Sequence, residues 1–357
     1  MIVIDCRGTG RERGRAHGES ARDLVQAALA RWHEATLGEG AGAAALKGYV
    51  AGFLAGTALI QRIESEVPDL MEEIRGIAEG ADVPFDIIAA YNLMDEQWWY
   101  DLENPPHVEP GCSVLSTAQR NEGRLLAQNM DLPSFMDGSQ VVLRIRPADA
   151  PEALVLSSAG LIGLTGVSHA GFGICVNTLL MLNHNKAGLP VAAVFRGALA
   201  QASAEEAVRF VRSVPHASGQ HYAVADKDGV TGLECSARGS AVSAARGAAA
   251  ALAHTNHPLT STDIAPASLA ILEAHGRVAE SRRRLGFVDG RMAPAMSVEE
   301  AKHILSDRTT PICILPMQER PGSTFGSVVF SLSETTKAQF CLGAPDTGAW
   351  HEVHWTA

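Results

Sequence analysis

At 357 residues, with 46% hydrophobic and 19% charged side chains, the chain suffices for one large domain or two ordinary ones and can bury a sizeable core. Its net charge of −11 argues against a nucleic-acid partner, whose phosphates demand a basic face, and the short run Arg282-Arg283-Arg284 does not reverse that balance. Met1–Asp5 lacks the basic start and long apolar run of a secretory signal, and six scattered cysteines without a Cys-x-x-Cys pair fit reduced thiols, so a cytoplasmic protein is expected.

Residues 11–100 read as mostly helical. Residues 41–60 are apolar but mainly Ala and Gly, with Lys47 inside; a buried small-residue helix is expected there and no membrane span. Pro68 suits an early helical position, Leu70, Met71, Ile74, Ile77 and Ala78 follow at helical spacing, and Gly80 is a natural stop. A further helix is expected from Phe85 to about Trp99. The aromatic run Trp98-Trp99-Tyr100 is expected to pack in a core or interface rather than line a pocket.

From Cys112 onward short β-like runs dominate: 113–117, 124–130, 140–146, 153–157, 171–177, a hairpin over 221–235 turning at Asp226–Gly229, and a last pair at 325–332 and 337–342. Capping-box pairs Ser203/Glu206 and Ser297/Glu300 open two helices among them. The Ala-rich stretch 241–253 reads as surface loop or helix. Strand blocks separated by helical blocks, with hairpin connections, indicate an α+β fold with antiparallel sheets. No internal repeat and no disordered tail are expected.

The chemistry concentrates at Gly111-Cys112-Ser113, where breakers give way to the first strand. A hairpin turn centred between residues 121 and 122 places Cys112 opposite Asp131, a thiol beside a carboxylate. Cysteine needs a base to become a nucleophile. Cutting the chain between Gly111 and Cys112 frees an α-amine that can serve, and glycine on the acyl side leaves its carbonyl open to the thiol. Acyl chemistry also needs oxyanion donors; Asn256, in the polar segment His254–Pro258, and Asn177, at a strand end, are candidates. Taken singly, Asp131 could be a turn residue, Asn256 a loop cap, Asn177 a strand-end amide and Cys112 a small buried hydrophobe. Cys6, Cys175, Cys235, Cys313 and Cys341 are expected to be structural.

These residues carry a family resemblance. The chain resembles the acyl-coenzyme A:6-aminopenicillanic acid acyltransferase family of N-terminal-nucleophile hydrolases and, more distantly, the choloylglycine hydrolases. The similarity runs through Gly10–Gly14 and His17-Gly18, Pro68–Gly80, Gly111-Cys112-Ser113, Asn129-Met130-Asp131, Gly171–Asn177, His254–Pro258 and Thr324–Phe330. It implies a four-layer αββα sandwich of two antiparallel sheets. It further implies self-cleavage into 1–111, a helical small chain, and 112–357, the catalytic core, held together as a heterodimer in one globular unit. Cys112 is then the nucleophile, Asp131 its acidic partner, Asn256 the side-chain oxyanion donor and Asn177 a backbone donor. The polar residue expected near the nucleophile from the late strand is one of Ser323, Thr324 and Ser327. Two departures stand out: Gln128 occupies the place of an arginine in the choloylglycine relatives, and Ser113 that of a common threonine.

The leading expectation is a self-activated cysteine amidohydrolase acting on a small linear amide, with no cofactor and no metal. An acyltransferase using a thioester such as acyl-coenzyme A, a Cys–His thiol enzyme using His254 or His257, and a binding protein with a silent thiol are the rivals. The pairs His254/His257 and His351/His354 lack the spacing and third ligand of a zinc site. A homo-oligomer is compatible with all of these.

Overall fold

In the computed structural model, which describes residues 1–101, 111–121, 123–244, 251–315 and 322–356, the first element is a strand, β1 (Val3–Arg7), burying alternate Ile4 and Cys6. Seven helices follow: α1 (Gly10–Ser20), α2 (Arg22–Leu37), α3 (Ala43–Ala55), α4 (Leu59–Glu66), α5 (Pro68–Ala81), α6 (Phe85–Asn92) and α7 (Met94–Tyr100). Then come β2 (Ser113–Gln119), β3 (Arg124–Pro133), β4 (Gln140–Arg146), β5 (Ala153–Ser158), β6 (Thr165–Ser168) and β7 (Phe172–Thr178). Helices α8 (Val191–Leu199) and α9 (Ala204–Ser213) precede β8 (Gln220–Asp226), β9 (Gly229–Ser236), β10 (Gly239–Ala244) and β11 (Leu252–His254). The chain continues with α10 (Pro266–Ala274), α11 (Arg277–Arg291), β12 (Ala295–Met296), α12 (Val298–Leu305), β13 (Gly322–Leu332), β14 (Lys337–Leu342) and β15 (Trp350–Val353).

Among the described residues two sheets form. One runs β1-β4-β5-β6-β7-β8-β9-β10; the other runs β11-β2-β3-β13-β14-β15, with β12 beside β2. Neighbours are antiparallel except β1–β4 and β12–β2. Period-two side-chain alternation makes the layers. In the second sheet Val114, Leu126, Val328 and Phe330 face the first; a Cβ added to Gly173 of β7 would lie 3.1 Å from both Leu126 and Phe330. The intervening Leu115, Leu125, Ala127 and Val329 face outward onto Val288 of α11 and Ala301, Ile304 and Leu305 of α12. On the far side α1 packs on β1 and α8 on β6 and β7, so the order is helix, sheet, sheet, helix, the layering that the resemblance implies.

The N-terminal helices lock together through glycine. Gly10, Gly14 and Gly18 recur every fourth residue on α1; Gly10 meets Asp69, Gly14 meets Gly76 and Gly18 meets Gly80 of α5. A Cβ at Gly14 would sit 1.9 Å from the Glu73 carbonyl oxygen, and one at Gly76 would sit 2.3 Å from that of Arg11. That proximity seats Glu73, 2% exposed, between Arg13 (Nε, 2.9 Å) and Arg196 of α8 (Nη1, 2.7 Å). The buried carboxylate is thereby paired on both sides, which its desolvation requires.

Several expectations are corrected. The hairpin β2–β3 pairs Ser113 with Asn129 and Val114 with Gln128, so its centre falls on Asn121 and not between 121 and 122. Asn121 (φ 91°) and Gly123 (φ 77°) adopt left-handed backbone there, and the one-residue slip sets Cys112 opposite Met130. The helix over 85–99 is two, broken at Leu93. The stretch 41–60 is no buried helix: α3 buries only Val50 and Phe53 and leaves its Ala and Gly residues exposed. No single helix among the described residues is long and apolar enough to cross a membrane. The Ala-rich stretch 241–253 contains the end of β10 and the start of β11; its residues 245–250 lie outside the described set.

Candidate active site

A cavity of about 130 Å³ is walled by α6, α7, β3, β7, α8, β8, α10 and α11. Its lining is mostly apolar, including Met94, Trp98, Leu132, Leu164, Val176, Leu180 and Phe195. Polar groups interrupt it at few points, the pattern expected of a small-molecule pocket. Gly111, Cys112, Asp131 and Asn256 all reach it, so three of the four expected catalytic residues and the expected cleavage position meet at one place.

Cys112 is buried, with Sγ 3.4 Å from Met130 Sδ and 3.9 Å from the Asp131 carbonyl oxygen. Burial, and then the neighbouring Asp131 charge, push its thiol up to about 12. Asp131 is 3% exposed. Its Oδ1 accepts from Thr324 Oγ1 at 2.7 Å, while Oδ2 has no partner. Burial pushes its carboxyl up to about 7 despite the opposing pull of Arg284. The three late-strand hydroxyls therefore separate: Thr324 holds Asp131, Ser323 donates to Asp137 (2.8 Å), and Ser327 donates to Asn129 (2.6 Å). A register shift in β13 between Thr324 and Gly326 turns Thr324 toward Asp131.

Arg284 on α11 organises the rest. Its Nη1 donates to the Cys112 carbonyl (2.7 Å) and to Ser113 Oγ (3.1 Å), and Nη2 donates to Asn256 Oδ1 (2.9 Å). Asn256 Nδ2 donates to the Thr178 carbonyl (3.0 Å), leaving its second hydrogen uncommitted. Gly111 lies directly against this amide: a Cβ there would sit 1.9 Å from Asn256 Oδ1. The cation that Gln128 does not supply thus comes from another element, and Gln128 itself donates to the Val176 carbonyl (2.6 Å).

Sequence reasoning missed α11 and Arg284. The signal was present: Val278, Ser281, Arg284 and Val288 recur at helical spacing and are all buried, while Arg282 and Arg283 are exposed. Ser281 also fixes the Asn256 segment, its Oγ accepting from the Asn256 amide (2.8 Å).

Other expectations move. The Asn177 side chain leaves the cavity to its flanking residues Val176 and Thr178; its Oδ1 lies 3.3 Å from His221 Nδ1. Among the described residues no histidine lines the cavity. His254 instead pairs with Glu234 (2.9 Å), which also accepts from the amides of Leu259, Thr260 and Ser261 and so ties down the loop beyond Asn256. His257 Nδ1 lies 2.8 Å from Ser281 Oγ. Of the three aromatics, Trp98 does line the cavity, whereas Trp99 stacks on His184 and Tyr100 packs edge-on to Phe53. All six cysteines are free and buried.

The family model for acyl-coenzyme A:6-aminopenicillanic acid acyl-transferase matches residues 118–347. The acyl-coenzyme A:6-aminopenicillanic-acid-acyltransferase 40 kDa form of Emericella nidulans is 27% identical over 220 residues, 58% of this chain. The match spans about half of that relative's length (55%). Among solved structures, penicillin V acylase from Agrobacterium tumefaciens is 14% identical at a TM-score of 0.43, covering 68% of this chain and 86% of that one. A mutant conjugated bile acid hydrolase from Clostridium perfringens is 14% identical at a TM-score of 0.40, covering 69% and 97%. Because the family model matches well over half of its residues, this chain belongs to the acyl-coenzyme A:6-aminopenicillanic acid acyl-transferase family.

Proposed function

We propose that the chain is a self-processing cysteine amidohydrolase that opens the C–N bond of a small linear amide through a thioester on Cys112. The observation that carries this reading is Asp131 Oδ2, buried without a partner on the cavity wall that holds Cys112. An unpaired buried carboxylate oxygen is costly. An ammonium formed from the α-amine of Cys112 would give it a charged donor.

In maturation Cys112 Sγ adds to the Gly111 carbonyl carbon, the thiol proton passes to the leaving nitrogen, and the peptide bond breaks to a thioester. One water then splits the thioester. The products are 1–111 ending in a carboxyl group and 112–357 beginning with a free amine and thiol. In turnover that amine takes the thiol proton and returns it to the departing amine. Its unperturbed value near 8 suits it to both tasks at neutral pH. The uncommitted Nδ2 hydrogen of Asn256 serves the tetrahedral oxyanion, and Arg284, bonded to Asn256 Oδ1, polarises that amide. Asn177 takes part only through its main chain. Water finally releases the acid from Cys112.

An acyltransferase is the second reading, favoured by the apolar lining, which disfavours water as the acceptor. The two differ in what reaches the thioester. The test is to incubate the purified chain with a panel of N-acyl amides, or with acyl-coenzyme A and an added amine. An acyl adduct is sought by mass on the peptide that starts at Cys112, and products are assigned as acid or new amide. Undiminished turnover by Cys112→Ala rejects both readings. A chain that turns over nothing and resists iodoacetamide is a binding protein with a silent thiol.

A further inference from the structure

The cavity has a second polar corner that the proposed chemistry does not use. Asp95 of α7 is half-buried and lines the cavity among residues of α7, β7 and β8. Its Oδ1 accepts from Thr178 Oγ1 (2.8 Å) and its Oδ2 from Gln220 Nε2 (2.6 Å). Both donors are neutral, and among the described residues no cationic side chain pairs with Asp95. A carboxylate can accept about four hydrogen bonds, so roughly half of its capacity is unspent.

The surroundings are rich in acceptors and poor in donors. Gln220 is fully buried and lines the same cavity, and its Oε1 has no partner. The Gln220 amide cannot be turned over to relieve this, because its oxygen would then face Asp95. Next along the helix, Glu96 Oε1 accepts from the Val191 amide (3.0 Å) and Ser218 Oγ (2.8 Å); its Oε2 is unpartnered, and burial pushes this carboxyl up to about 8, so at neutral pH the anionic charge of this corner rests on Asp95. Of the donor hydroxyls here, Thr178 is spent on Asp95 and Ser218 on Glu96, while the buried Tyr222 hydroxyl bonds neither carboxylate. By contrast, the other carboxylates on the cavity have partners of their own: Glu280 pairs with Arg277 (3.2 Å), and Asp131 would meet the freed amine of Cys112.

Unspent acceptors on an anionic group inside a mostly apolar cavity call for a ligand that brings both positive charge and several N–H donors. We propose that Asp95, with Gln220 Oε1 beside it, binds a primary ammonium group, and that the substrate is an aminoalkyl amide. The ammonium is carried either on the acyl chain or on the amine half. The substrate part of this inference rests on the amidase or acyltransferase reading; the binding part does not.

The test reads binding first. The full chain carrying Cys112→Ala is titrated with n-hexylammonium chloride and with n-hexanol, following heat and tryptophan fluorescence. A charge-assisted contact predicts at least about tenfold tighter binding of the ammonium. Asp95→Asn is expected to bring the two ligands to within about threefold of each other. The first comparison needs no change at Asp95, so equal binding of the two ligands overturns the proposal even if Asp95→Asn does not fold; because Asp131 Oδ2 is also unpartnered on this cavity in the uncut chain, Asp131→Asn is titrated beside it and must keep the ammonium preference. Equal binding of the two ligands, no binding of the ammonium, or a preference that survives Asp95→Asn overturns the proposal.

Turnover then locates the charge. The 6-aminohexanoyl amide is compared with the hexanoyl amide for the acyl side. N-hexanoyl-1,2-diaminoethane is compared with N-hexanoylpropylamine for the amine side. One arm should show a kcat/KM ratio favouring the cation, reduced in Asp95→Asn; a preference for the neutral substrate in both arms also overturns the assignment. If no amide is turned over while the binding ratio holds, the function reading fails and the ammonium site stands.

Discussion

Replacing Gly111 by alanine presses on the contact that the self-cleavage account depends on. The added Cβ would lie 1.9 Å from Asn256 Oδ1 and 2.3 Å from Cγ, inside any van der Waals contact, so the amide has to swing out. Asn256 is not free to swing, because Oδ1 is held by Arg284 at 2.9 Å and Nδ2 by the Thr178 carbonyl at 3.0 Å. A hydrogen bond to a charged group contributes about 1.5–3 kcal/mol and a neutral one about 0.5–1.5 kcal/mol, so breaking both costs about 2–4.5 kcal/mol. If that cost falls on the cleavage transition state, which needs Asn256 in place, self-cleavage slows by roughly 30- to 2,000-fold. The assay is a time course of intact mass after rapid purification, following loss of the full chain and growth of 1–111 and 112–357. Material that does cut should turn over amides normally, because residue 111 then ends a separate chain. Cleavage of Gly111→Ala at the unmodified rate refutes the reasoning.

Arg284→Met keeps the length of the side chain but removes the donors on the Cys112 carbonyl, Ser113 and Asn256. Losing this support for the oxyanion donor is expected to lower kcat by about 10²–10³ with a much smaller change in KM, read from initial rates. Glu73→Ala leaves Arg196 buried without a carboxylate partner among the described residues, at a cost of about 3–5 kcal/mol in a urea unfolding midpoint measured at constant slope. In the uncut Cys112→Ala chain, Asp131 is raised to about 7 by burial, so between about pH 4 and 7 the folded state keeps a proton that the unfolded chain has released. Stability must therefore fall as pH rises through that window, and Asp95 and Glu96, also raised by burial, act in the same direction. Asp131→Asn should flatten part of that fall, by an amount on the order of a few kcal/mol, in denaturant titrations at pH 5 and pH 8.

What the sequence made legible follows from the range of the forces involved. Strands 140–146 and 337–342 were readable to the residue, because alternation within a strand is local information. The hairpin around Cys112 was readable as a hairpin, but its register was not. A turn that uses left-handed Asn121 and Gly123 shifts the pairing by one residue, and no pattern in the strands reports that shift. Cys112, Asp131 and Asn256 were found through motif order, and the cavity unites them. Arg284 was not found, since it lies 172 residues from Cys112 and its neighbours Arg282 and Arg283 read as a solvated run. The glycines of α1 were noticed only as part of a motif; their fourfold spacing, matched by Gly76 and Gly80, is a helix-packing signal. The exposed face of α3 defeated the hydropathy reading because alanine and glycine are apolar by composition yet bury little area.

The central claim is that Cys112 becomes the first residue of a new chain whose own amine serves the thiol. N-terminal sequencing of the active preparation, run beside intact mass on unmodified and Cys112→Ala protein, tests it most directly. The account predicts a readout of Cys-Ser-Val-Leu from the active material and a single uncut 357-residue chain from the variant. A fully active preparation that yields only Met-Ile-Val-Ile, or a Cys112→Ala chain that is cut at the same bond, contradicts it.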